Sequence, residues 1–221
     1  IGAGQPCFII AEAGVNHNGS IDLAHQLIDM AAEAGADAVK FQTFNALSLV
    51  SPEAPTAEYQ IRNTHSTESQ LQMIRRLELS PDMHRDLVAY CRDRRILFMS
   101  SPFDLESAEL LAELDVPAFK IPSGEITNFP LLQHVAHQGK PLIVSTGMAY
   151  LSEVEAAVRV IQEAGNWQYV LLHCVSNYPA EPADVNLKAM DTMNAAFGVP
   201  VGYSDRSEEH TSELQSLVNL V

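Results

Sequence analysis

The sequence predicts an α/β fold of the (β/α)8 barrel, TIM-type class, incomplete, with about seven strands in its 221 residues. Three observations predict it. Short apolar runs alternate with amphipathic helical patterns along the chain, the mark of a parallel sheet covered by helices. Nearly every run ends in a polar residue: Glu12, Lys40 and Gln42, Ser101, Lys120 and Ser123, Ser145, Ser176, Ser204. A barrel gathers its strand C-termini around one mouth where chemistry is placed, whereas a doubly wound sheet uses mainly the loops at its switch point. Finally, no G-x-G-x-x-G follows the first run.

The first strand is FIIAEA (8–13). VNHNGS (15–20) is a turn leading into the helix SIDLAHQLIDMAAEAGA, with Ser20 as N-cap and Gly35 at its end. AVKFQT (38–43) is the second strand. The segment 44–80, with Pro52, Pro55 and the polar stretch RNTHSTESQ, reads as an insertion after it. Loops of that length are usually functional or disordered, and on a barrel this one lies at the active rim. Next come the helix SPDMHRDLVAYCRDRR, the strand ILFMSS (96–101) and the helix DLESAELLAELD, N-capped by Asp104. AFKIPS (118–123), LIVST (142–146), YVLLHC (169–174) and PVGYS (200–204) are the remaining strands. The helices NFPLLQHVAHQG, LSEVEAAVRVIQEAG and NLKAMDTMNAAFG fall between them, ending at Gly139, Gly165 and Gly198.

Composition narrows the function classes. The chain is 47% hydrophobic and 19% charged, the balance of a soluble globular domain, and it has no run of apolar residues long enough for a membrane span. A net charge of −15 argues against nucleic acid, which is met by a basic stripe. It leaves an anionic small ligand open, because such a ligand needs only local cations. The three cysteines, Cys7, Cys91 and Cys174, form no metal spacing and suggest no disulfide framework, so a reducing, cytoplasmic location is expected. The start IGAGQPCFII has no basic leader and no initiator Met, which suggests a clipped N-terminus.

Several residues stand out chemically. Glu12 near the end of an apolar strand is costly unless paired or hydrogen-bonded; it is a structural carboxylate or a proton-handling group. Lys40 and Lys120 interrupt two otherwise apolar strands and need an anionic partner, either a ligand phosphate or a carboxylate such as Glu12 or Glu125. Ser and Thr recur in SSP, PSGE, STG and YSD, where hydroxyls and backbone N–H groups can surround a phosphate. His17 either binds substrate or shapes its turn. His25, His84, His134 and His137 lie on helical patterns and read as surface residues, His173 as a satisfied strand histidine, and Tyr178 lies within reach of the mouth.

AEAGVNHNGS, GADAVKFQT, SSPFD, VPAFKIPSGEITNFPLL, GKPLIVSTGM, LLHCVSNYPA, VNLKAM and FGVPVGYSD, in this order, resemble the sialic acid synthase family over roughly residues 7–205. That family condenses phosphoenolpyruvate with an N-acetylated sugar aldehyde to make nonulosonic acids. The resemblance implies a catalytic role for Glu12 and makes Lys40 and Lys120 the lysines that hold the phosphoenolpyruvate carboxylate and phosphate. It implies that Ser101, Ser123, Ser145 and Ser204 are the hydroxyls around that ligand, and that Gln42 and Tyr178 contact the sugar. It makes Ser176 a further substrate contact, at a position where the family often has Asn. N-acetylmannosamine and a diacetylated legionaminate precursor are both open as the sugar; the forms PSGE and HCVSNYP point away from the pseudaminate branch. A divalent ion, Mn2+ or Mg2+, would polarise the aldehyde, and intact members would be homodimers.

The family's metal-binding His position is Arg206 here, so no metal ligand is assigned in this chain. RSEEHTSELQS (206–216) matches the translation of a widely used sequencing-adapter oligonucleotide. The expected organisation is therefore a partial barrel over 1–205 and a non-native tail over 206–221, irregular or a short helix rather than an eighth strand. The small C-terminal antifreeze-like domain of the family would be absent, and the truncated chain itself inactive. Two other functions fit the same residues: a Schiff-base aldolase or lyase using Lys40 or Lys120, and a non-catalytic sugar-phosphate binder.

Overall fold

Seven strands pair in sequence order, all parallel, as one curled sheet in the computed structural model, which describes residues 1–2, 4–50, 69–177 and 179–206. The strands are β1 (Ile10–Gly14), β2 (Ala38–Thr43), β3 (Leu97–Pro102), β4 (Phe119–Ile121), β5 (Leu142–Ser145), β6 (Tyr169–His173) and β7 (Val201–Tyr203). The helices are α1 (Ile21–Glu33), α2 (Ala46–Leu49), α3 (Gln70–Arg76), α4 (Pro81–Arg94), α5 (Leu105–Glu113), α6 (Phe129–His137), α7 (Leu151–Glu163) and α8 (Lys188–Phe197). Strand followed by covering helix, with every neighbour parallel, is the incomplete barrel the sequence predicts. Among the described residues β1 and β7 are its edges. The tail from 207 onward and Tyr178, each the subject of an expectation above, lie outside the described residues.

The strands are apolar on both faces because both are covered. Val39, Phe41, Phe98, Phe119, Ile121, Leu142, Val144 and Leu171 face the helices and form the main core with residues such as Leu27, Leu87, Leu111, Leu132 and Ile161. The opposite parity builds a small inner cluster: Ala38, Met99, Ala118 and Ile143, with Phe8, Ile10, Val170 and Leu172 only partly buried beside it. One step further along the same inner face come the polar residues, so this cluster is the floor of the mouth.

Local chemistry sets the boundaries. Ser20, Ser80 and Asp104 accept backbone N–H groups at the starts of α1, α4 and α5, the capping predicted at Ser20 and Asp104. Gly35, Gly139, Gly165 and Gly198 take positive φ just past their helices, as predicted. Two expectations change. β4 stops at Ile121, because Pro122 has no N–H for the ladder and Ser123–Glu125 turn as a 3-10 helix. Ser123 is therefore presented by a turn rather than a strand end. The segment read as one long insertion also carries two helices: Asn45 caps α2, and Ser69 with Gln72 forms a capping box on α3. Residues 51–68 lie outside the described set.

Candidate active site

The mouth is built where inner-face positions reach the strand C-termini. Glu12 and Lys40 are register partners on β1 and β2, and their side chains form an ion pair. This is the internal pairing that the sequence left open for Lys40. Gln42 lies close by: a Cβ added at Gly14 would meet Glu12 Oε1 at 3.2 Å and Gln42 Nε2 at 3.7 Å. Gly14 also takes a φ of +51°, so the turn after β1 and the room for these two side chains both rest on glycine.

Lys120 is different. Its side chain is buried, and its ammonium donates to the Ile121 carbonyl at 2.8 Å and the Ser145 hydroxyl at 2.7 Å. Neither acceptor carries a charge, and among the described residues no carboxylate forms an ion pair with it. Burial pushes its pKa down to about 7; Lys40 lowers it further, and the Glu12 carboxylate opposes the shift. A buried cation held by neutral acceptors has charge to spare for an anion. Ser101 points the same way: its hydroxyl is buried and makes no hydrogen bond. Such groups are rare in native folds and call for a partner.

The other hydroxyls lie at or just past the ends of β3, β5, β6 and β7 and in the turn after β4. Ser145 is bonded to Lys120. Ser123 is buried in the turn after β4, close to Gly147: a Cβ at Gly147 would lie 3.3 Å from Ser123 Oγ and 2.7 Å from Cys174 Sγ. The Gly147 N–H donates to that thiol at 3.2 Å. Ser101 sits opposite Gln42 in register. Ser204 follows β7, its N–H donating to the His173 carbonyl at 2.8 Å. Ser176 stands apart, exposed on the bend after β6. Tyr178 is not among the described residues.

The histidines divide. His173 is satisfied, its Nε2 donating to the Val185 carbonyl at 2.6 Å. His17 Nδ1 accepts the Gly19 N–H of its own turn at 3.0 Å, while its buried Nε2 makes no hydrogen bond and burial holds its pKa down to about 4. His25 is half-buried, stacked on Tyr90 and paired with Asp86. His84 corrects the surface reading. It is fully enclosed on α4, where its spacing from Leu87 and Cys91 puts it on the buried stripe. That periodicity was readable in the sequence. Its Nδ1 donates to the Ser80 carbonyl at 3.0 Å, which leaves Nε2 to accept from the Thr43 hydroxyl at 2.8 Å. Burial lowers its pKa, in keeping with this neutral tautomer.

A divalent ion finds no set of donors here. Among the described residues no three of His, Cys, Asp and Glu come together. At the family's His position the Arg206 guanidinium donates to the Val175 carbonyl at 2.9 Å. A guanidinium cannot ligate a cation, so these residues do not fit a metal and no step below runs through one. Among the described residues no helix is long and apolar enough to cross a membrane.

Comparison with known proteins gives the site a context. Residues 27–218 match the model of the NeuB family. The chain is 51% identical over 201 residues to an N,N'-diacetyllegionaminic acid synthase of Campylobacter jejuni, covering 90% of this chain and 60% of that protein. It is 37% identical over 211 residues to the human N-acetylneuraminate-9-phosphate synthase, covering 92% of this chain and 56% of that one. Among solved structures, the N-acetylneuraminic acid (sialic acid) synthetase of Leptospira borgpetersenii, in complex with citrate, superposes with a TM-score of 0.79 at 36% identity over 92% of this chain and 66% of that one. The chain thus spans about 60% of the length of the Campylobacter relative.

Proposed function

Since the chain belongs to the NeuB family, we propose that it is the main part of the catalytic barrel of a synthase that joins phosphoenolpyruvate to an N-acetylated sugar aldehyde and releases phosphate. The observation that carries this reading is Lys120: a buried ammonium with only neutral acceptors, facing the Glu12–Lys40 pair and an unpartnered Ser101 hydroxyl. Lys120 and Lys40 would hold the phosphate and carboxylate, with Ser123, Ser145 and Ser204 as neutral donors. The C3 carbon of the enol then attacks the aldehyde carbon, whose oxygen takes a proton. Water adds at C2, and phosphate leaves by C–O cleavage, giving a 2-keto acid. Glu12, paired with Lys40, handles a proton at the aldehyde oxygen or the attacking water. Gln42 and Tyr178 would orient the sugar. The higher identity to the legionaminate relative favours the diacetylated legionaminate precursor over N-acetylmannosamine. The divalent ion expected for this chemistry would be held by residues other than those described, and EDTA should leave phosphoenolpyruvate binding by this chain unchanged.

One observation favours a second reading. With its pKa near 7, a large share of Lys120 is neutral at neutral pH, as a Schiff-base lyase requires. The deciding experiment joins residues 1–205 to the remaining portion of the Campylobacter relative and incubates that protein with phosphoenolpyruvate and each sugar, following phosphate release and product mass, beside borohydride trapping with a keto acid. Phosphate release coupled to a nonulosonic acid supports the synthase. A covalent lysine adduct without phosphate release replaces it with the lyase.

A further inference from the structure

Behind the mouth, on the helix-facing side of β2 and β3, lies a chain of hydrogen bonds in an otherwise apolar interface. The Ser100 hydroxyl and the Thr43 hydroxyl are 2.7 Å apart, Thr43 reaches His84 Nε2 at 2.8 Å, and His84 Nδ1 reaches the Ser80 carbonyl at 3.0 Å. Ser80 is the N-cap of α4, and its carbonyl also accepts the His84 N–H at 3.0 Å. Phe41, Phe98, Leu87 and Cys91 are buried in the core that surrounds this chain. The hydrogen bonds are directional where the surrounding contacts are not. The neutral tautomer fixes every donor: Nδ1–H to the carbonyl, Thr43 O–H to Nε2, Ser100 O–H to Thr43.

The position of this chain gives it a consequence. Successive residues of a strand point to opposite faces. Thr43 and Ser100 point back to the helices, so their neighbours Gln42 and Ser101 point into the mouth, and those two are register partners. The Phe103 N–H donates to the Thr43 carbonyl at 3.1 Å, extending the same rung. We propose that His84 is a positioning residue: through Thr43 and Ser100 it locks the ends of β2 and β3 so that Gln42 and Ser101 present their polar groups at one fixed spacing to the bound substrates, Gln42 to the sugar and Ser101 to phosphoenolpyruvate. Lys120 and Ser145, on β4 and β5, lie outside this lock. The inference rests on the synthase reading for its substrate and on the hydrogen-bond geometry for its mechanics.

The test uses three substitutions. Gln places an acceptor near the site of Nε2 and keeps the Thr43 bond; Asn places a donor near Nδ1 and keeps only the Ser80 bond. Thr43→Val removes the hydroxyl at nearly constant volume and serves even if His84→Asn fails to fold. Backbone amide exchange at residues 41–43, 101 and 103 reads the lock without any substrate. It should quicken at least tenfold in His84→Asn and Thr43→Val, stay within twofold of the unaltered protein in His84→Gln, and be no faster in the double Thr43→Val/His84→Asn. In turnover assays of residues 1–205 joined to the remaining portion of the Campylobacter relative, the same two variants should raise the KM of the sugar and of phosphoenolpyruvate together, each at least threefold. Equal exchange in His84→Asn and His84→Gln, or quickened exchange with both KM values unchanged, overturns the positioning role. If residues 1–205 joined to the remaining portion of the Campylobacter relative form no condensation product while the exchange pattern holds, the synthase reading falls and the lock stands.

Discussion

Lys120 links the fold's energetics to its chemistry. Its native pKa is near 7, against 10.5 for an ordinary lysine. Between those values the unfolded chain holds a proton that the native state has released, so Lys120 makes native stability rise with pH over that window. Urea unfolding at pH 6.5, 8 and 9.5 should show this rise, and Lys120→Met should flatten it; equal slopes in both proteins would place the ammonium in a wetter setting than the one described. Ligand binding runs the other way. A phosphate dianion favours the charged lysine, so phosphoenolpyruvate affinity should fall above pH 7, by up to about tenfold per unit. Calorimetry in buffers of different ionisation enthalpy should record proton uptake on binding. Glu12 gives a sharper split. Glu12→Gln keeps a polar group beside Lys40 but cannot carry a proton through the reaction, so in the chain completed with the remaining portion of the Campylobacter relative turnover should fall on the order of 10²-fold while phosphoenolpyruvate binding persists. Near-normal turnover with a shifted melting temperature would return Glu12 to a structural carboxylate tied to Lys40. Both lysines were legible in the sequence because a charge in an apolar strand is anomalous by itself. The pairing of Lys40 with Glu12, and its absence for Lys120, was not legible, because it depends on register and on which neighbour reaches first.

At the scale of elements, β5 and β6 meet through a contact that tolerates no side chain. A Cβ on Gly147 would stand 2.7 Å from Cys174 Sγ, 3.1 Å from its carbonyl oxygen and 3.3 Å from Ser123 Oγ. Gly147→Ala should therefore displace the Ser123 turn or the end of β6, a strain on the order of 1–3 kcal/mol, and weaken phosphoenolpyruvate binding at least fivefold. Cys174→Ala in the same chain removes the shortest contact and should restore part of that affinity; a double variant no better than Gly147→Ala would mean the two residues do not meet as described. The strands and most helices were readable from period and punctuation, since a run such as LIVST between Gly139 and a capped helix leaves little choice. β4 proved shorter, because a proline inside AFKIPS outweighs its apolar composition. The helices α2 and α3 were missed inside 44–80, although S-x-x-Q at Ser69 is a start signal. Proline and polar composition hid it, and a helix as short as α3 has too few turns for periodicity to show.

For the molecule as a whole, the two cores are unequal. The helix-facing core is continuous, whereas on the inner face Phe8, Ile10, Val170 and Leu172 remain only partly buried beside Ala38, Met99, Ala118 and Ile143. In a closed barrel such inner layers are filled on all sides. Here, among the described residues, β1 and β7 leave backbone donors and acceptors at two edges, and unpaired parallel edges beside apolar surface invite pairing between molecules. The relatives supply the contrast, since the chain matches only 60% of the Campylobacter protein. The 221-residue chain should self-associate as its concentration rises, read by light scattering, and should show no condensation activity. Joining residues 1–205 to the remaining portion of that relative should give a defined species that turns over phosphoenolpyruvate with a sugar aldehyde, because the inner apolar layer and both edges then gain partners. A stable monomer of the 221-residue chain that catalyses the condensation unaided would overturn three readings together. The edges would have to be satisfied within the chain, residues 206–221 could not be a foreign tail, and the expected divalent ion would be dispensable or bound by donors other than those described.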